Sequence, residues 1–147
     1  MKTTLYMQTT RISPEQTVAQ IQRVIGMYGA SAIRTDYDNG EVVSVSFLIM
    51  VDGREIPFRL PCRWEVIYQH IQRKRKQRAW KKETDDKLQA KRVAWRQILR
   101  WLEAQFALVD TGMVKTAEIF MPFIQVGVAE TLYERLETSK FKLLEHR

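Results

Sequence analysis

Two tight turns constrain this chain more than any other feature. Asp38-Asn39-Gly40 and Asp52-Gly53 both supply residues that tolerate positive φ, as short hairpin connections require. Between them lies a long strand segment, Glu41 to Val51. Val43, Val45, Phe47, Ile49 and Val51 share one face, and Val42, Ser44, Ser46, Leu48 and Met50 share the other. A shorter strand, Ile33 to Tyr37, precedes the first turn, and Arg54 to Leu60 follows the second. Pro57 cannot donate to a ladder, so the third strand is expected at an edge. The three segments predict an antiparallel meander.

Helical signals flank the meander. Residues Thr3 to Ile12 alternate loosely and read as an edge strand or an ordered arm. Ser13 then caps a helix, Pro14 suits its first position, and Gln16 completes a capping box. Val18, Ile21, Val24, Ile25 and Tyr28 form its apolar stripe, and Gly29 stops it. After Pro61, Trp64, Ile67, Tyr68 and Ile71 mark a second helix. Thr84 is a candidate cap for a long amphipathic helix from Leu88 to Val109, closed by Thr111-Gly112. Thr116 is expected to cap a shorter helix, bent near Pro122, with a last helix from Ala129 to about Leu144 after Gly127. The expected fold class is α+β: an N-terminal helix, a three-stranded antiparallel meander and a mainly helical C-terminal half. Residues 1–147 read as one domain, with 13–61 forming the helix and meander and 62–147 the helical part.

Charge is the second constraint. In Arg73 to Lys82, seven of ten residues are Lys or Arg, and Trp80 sits among them. From Arg63 to Arg100 thirteen cations face four acids, whereas the whole chain carries +7. The rest of the chain is therefore slightly acidic, and the positive charge is local. Such a patch suits a polyanion. Lys87, Lys91, Arg92, Arg96 and Arg100 continue at helical spacing, either as a second basic stripe or as long stems covering the flank of a core-facing helix. Arg34, Arg54, Arg59 and Tyr37 decorate the strands and read first as surface residues.

Catalytic chemistry has little to stand on. His70 has no carboxylate at supporting spacing, and His146 is penultimate. Cys62, the single cysteine, excludes an intramolecular disulfide and any multi-cysteine zinc site, and reads as a small buried hydrophobe. Asp36, Asp38, Asp52 and Glu55 fall at hairpin ends, where turn geometry explains the aspartates. No phosphate-cradling glycine motif is present. No apolar stretch reaches the roughly 20 residues of a membrane span. Met1-Lys2-Thr3-Thr4-Leu5 lacks an apolar signal core, so a cytoplasmic location is expected. No enzyme activity, metal or cofactor is expected.

Tyr28-Gly29-Ala30, Phe58-Arg59-Leu60-Pro61 and Trp95-Arg96-Gln97-Ile98-Leu99 lead a pattern that continues through Leu102-Glu103-Ala104 and Val109-Asp110-Thr111-Gly112 to Glu118-Ile119-Phe120-Met121-Pro122-Phe123-Ile124. In these positions the chain resembles a loose group of small phage- and prophage-encoded proteins of undefined function. The resemblance implies a compact α+β domain of phage-related origin and, by analogy, a setting such as phage DNA replication, recombination or host takeover. It implies no activity and no functional residue.

The reading that follows is a non-enzymatic nucleic-acid-binding protein, with DNA favoured over RNA. Arg73, Lys74, Arg75, Lys76, Arg78, Lys81 and Lys82 are the expected phosphate contacts, and Trp80 a stacking residue. Lys91, Arg92 and Arg96 would extend the surface. The competing reading is a protein-interaction module, either a homodimer or an adaptor whose basic patch meets an acidic partner.

Overall fold

The computed structural model describes residues 4–76 and 85–145, apart from the side chain of Leu143. Helix α1 spans Pro14–Met27. The Ser13 hydroxyl accepts from the Gln16 N–H at 3.2 Å, as the cap signature requires. Beyond Met27, Gly29 takes φ +97°, a left-handed value that stops the helix. Strands β1 (Ala30–Asp38), β2 (Glu41–Val51) and β3 (Arg54–Pro61) follow as an antiparallel sheet in the order β1-β2-β3. Asn39 and Gly40 both have positive φ, as do Asp52 and Gly53, which is the mirror-image turn geometry that matches strand twist. β1 is longer than its apolar pattern suggested, because pairing with β2 recruits Ala30, Ser31 and Ala32.

The sheet has two chemically different faces. Val45, Phe47 and Ile49 of β2 and Phe58 and Leu60 of β3 are buried on the inner face. They pack with Val18, Ile21 and Ile25 of α1 and with the long helix α3, Asp86–Asp110. Phe120 completes this core, with its ring centroid 5.3 Å from Phe47, 5.7 Å from Phe58 and 5.5 Å from Phe106. Trp95 is buried and Trp101 half-buried, so both belong to the core side of α3.

Helix α2 spans Trp64–Lys76 and packs on α3, burying Ile71. Asp85, and not Thr84, makes the described cap of α3, accepting from the N–H groups of Lys87 and Leu88; Thr84 lies outside the described residues. Residues Thr4 to Ile12 form no strand. They are an arm pinned to α3, where Gln89 donates to the carbonyls of Gln8 and Thr10, both at 2.9 Å, and Gln97 donates to Tyr6.

The C-terminal portion departs most from expectation. Thr116 is the first residue of α4 (Thr116–Phe120), not its cap, and a 3₁₀ turn carries Met121–Phe123 past Pro122. A small hairpin follows, β4 (Gln125–Gly127) with β5 (Glu130–Thr131). The predicted long last helix is only α5, Leu132–Thr138. Thr131 and Glu134 form a reciprocal capping box that starts α5 three residues later than expected. Lys140 and Phe141 adopt left-handed φ, which ends it early. Phe58 bridges to Ile124, so this portion is attached to the free edge of β3.

Candidate nucleic-acid interface

The basic run begins inside α2. Arg73, Lys74, Arg75 and Lys76 occupy its last turn, where the helix dipole favours cations. Arg73 and Lys76 are exposed, and Lys74 is half-buried. Among the described residues none of these three has an ion-pair partner. Arg75 differs. It pairs with Asp86 on the first turn of α3, and Gln72 donates to the same carboxylate at 3.1 Å. Arg75 therefore ties the two helices together. Arg78, Trp80, Lys81 and Lys82 lie outside the described residues.

The second stripe does not stay together. Lys91 turns toward α2 and the start of β2: it pairs with Glu41, and its ammonium sits 4.6 Å from the Trp64 ring centroid. Lys87, one turn earlier, lies 5.8 Å from the Tyr68 ring centroid. Arg92 and Arg96 point to the other flank. Arg92 donates to Gln89, which holds the N-terminal arm. Arg96 is only 4 % exposed and donates to Gln20 of α1. Burial lowers the Arg96 guanidinium below its ordinary pKa, and neighbouring Arg100 adds to this. In these residues the stems cover the flanks of a core-facing helix.

The structure thus places Arg73, Lys74 and Lys76 in the last turn of α2 and Lys87 in the first turn of α3. Lys91, Arg92 and Arg96 are engaged elsewhere. Gln72, Gln89 and Gln97, which fix this geometry, carry no sequence signal of their long-range partners.

Of the other candidate residues, Cys62 and Asp36 are buried or paired, while Asp38 and Asp52 are exposed at their turns. Cys62 is 6 % exposed, and burial pushes its thiol up to about 12. Asp36 accepts from Ser44 at 2.8 Å and faces Arg34 at 3.1 Å. Among the described residues, no three metal-ligating side chains come together, and no helix is long and apolar enough to cross a membrane. No protein-family model, curated protein or solved structure matches the chain.

Proposed function

We propose that this chain is a non-enzymatic nucleic-acid-binding protein of phage or prophage type, acting on DNA in replication or recombination. One observation carries the reading. Three cations of the last α2 turn, Arg73, Lys74 and Lys76, have no ion-pair partner among the described residues. Asp86 is committed to Arg75, and Asp85 to capping α3. The charge at this end is therefore left for a polyanion outside the fold. Arg78, Lys81 and Lys82 follow at once in sequence and raise the local charge further, with Trp80 as the stacking candidate.

Binding of this kind is electrostatic, with little base reading. If four cations meet duplex phosphates, affinity falls roughly 10²-fold between about 50 and 200 mM salt. The test is fluorescence anisotropy with labelled single-stranded DNA, duplex DNA and duplex RNA. The triple variant Arg73→Ala, Lys74→Ala, Lys76→Ala should weaken binding to every sequence alike and flatten the salt dependence, by about 0.9 in slope for each lost duplex contact. No binding at low salt overturns the proposal and leaves an acidic protein surface as the better partner.

A further inference from the structure

The outer face of the sheet holds a second candidate site, distinct from the basic end. Its strand register brings Arg34 of β1, Ser46 of β2 and Arg59 of β3 into one cross-strand row. The adjacent row is apolar: Ala32, Leu48 and Pro57. The β4 segment Gln125–Gly127 stands beside these rows as a wall, enclosing a groove of about 520 Å³ whose floor includes Arg34, Ser46 and Leu48. That volume falls in the range of small-molecule sites.

The wall is braced. Gln125 donates to the carbonyls of Gly127 and Val128 at 3.0 and 3.1 Å. Arg135 donates to the Val126 carbonyl and pairs with Glu130, each at 3.0 Å. A Cβ on Gly127 would lie 3.0 Å from the Glu130 carboxylate, so glycine here lets Glu130 sit close against the β4 backbone.

The floor holds unspent hydrogen-bonding capacity. Ser46 is 6 % exposed, yet its hydroxyl has no partner among the described residues. A buried hydroxyl without a partner costs free energy, and native structures tolerate few of them. The Arg59 Nε is also buried without a partner. Nearby acids offset part of this charge: Arg34 faces Asp36, while Glu134 lies near Arg59 and Arg63. Cross-strand neighbours sit about 5 Å apart, so the Arg34 guanidinium, which lines the groove, can reach an anion held over Ser46, whereas Arg59 does not line it.

We propose that this groove binds a small carboxylate with an apolar tail. The carboxylate accepts from the Ser46 hydroxyl and from Arg34, while the tail lies on Ala32, Leu48 and Pro57 against Val126. The row supplies donors matched to two carboxylate oxygens, and the apolar row gives a direction to the tail.

The test titrates the ¹⁵N-labelled full chain with octanoate, and separately with octanol, following amide shifts. Octanoate should give saturable shifts centred on Ala32, Leu48 and Gly127. Octanol, which keeps the tail and loses the charge, should bind at least about tenfold more weakly, as expected for charge-assisted hydrogen bonds. Arg34→Gln should lose a similar factor while its spectrum stays dispersed, and Ser46→Ala provides a second variant should Arg34→Gln disturb folding. No saturable shift with octanoate, shifts centred elsewhere, or equal affinity for octanol would each overturn the proposal.

Discussion

Arg75 on the last turn of α2 and Asp86 on the first turn of α3 form an ion pair, and Gln72 donates to the second carboxylate oxygen at 3.1 Å. Both side chains are largely covered, at 25 % and 13 % exposure. This contact fixes the two helix ends that flank residues 77–84. It also separates the cation with a structural task from its three neighbours.

Removing either partner of this pair should be felt as stability. In a double-mutant cycle, Arg75→Ala and Asp86→Ala should show a coupling of about 1 kcal/mol, above the exposed-pair median because the pair is partly buried. Urea unfolding of the four proteins measures it. Strictly additive single variants would show that the pair does not hold the helix ends.

The cations of α2 and those of α3 should separate experimentally. Arg96→Ala removes a buried stem and leaves Gln20 without its donor, costing about 1–3 kcal/mol. Arg73→Ala and Lys76→Ala should stay within about 0.5 kcal/mol of the parent, because both residues are exposed. Nucleic-acid affinity should respond in the opposite order. Thermal unfolding and anisotropy on the same three variants check both halves.

Cys62 should be inert to alkylation at pH 8 in the folded protein. With its thiol at about 12, only about one molecule in ten thousand carries the thiolate at that pH. The linkage has a definite sign. An unfolded thiol near 9 releases its proton before the folded one does, so the contribution of Cys62 to stability is full below pH 9 and lost between 9 and about 12. Cys62→Ala should therefore flatten the alkaline side of the stability profile. Iodoacetamide labelling that is as fast in buffer as in urea would contradict this.

The cap of α5 should respond to acid. Burial pushes the Glu134 carboxyl upward, but hydrogen bonds from Thr131, with Arg63 and Arg59 nearby, outweigh it and leave the pKa below the ordinary carboxylate value. Its contribution is thus present above the ordinary value of 4.5 and lost as pH falls through the depressed one. Thr131→Ala should cost about 1 kcal/mol at neutral pH, and Glu134→Gln should remove part of the acid sensitivity. Unfolding midpoints from pH 3 to 7 give the comparison.

Much of this fold is legible because its signals are local. Ser13-Pro14 starts α1, and Asn39-Gly40 and Asp52-Gly53 close hairpins, through chemistry contained in a few neighbouring residues. The Thr131-x-x-Glu134 box is equally present in the sequence, but the expected helix from Ala129 to about Leu144 runs across it. Other features depend on distant partners. The stripe from Lys91 to Arg96 divides because α2 covers one flank of α3, while α1 and the N-terminal arm cover the other.

Register explains why the outer-face groove is hidden from a linear reading. Counting back from the Asn39-Gly40 turn without interruption pairs Arg34 with Val45 and not with Ser46, although Arg34 itself reads as a surface residue. A bulge between Asp36 and Tyr37 shifts the pairing by one, so Arg34 meets Ser46 instead. A single-residue slip exchanges the two faces of a strand, and the sequence around Asp36 carries no mark of it.

The most direct measurement is the salt dependence of anisotropy for the parent and the Arg73→Ala, Lys74→Ala, Lys76→Ala variant on labelled duplex DNA. The account predicts parent binding at about 50 mM salt that weakens roughly 10²-fold by about 200 mM, and a variant that binds weakly with a shallower slope. A variant that binds as tightly as the parent, with the same slope, would contradict the assignment of the α2 terminus as the phosphate-contacting surface.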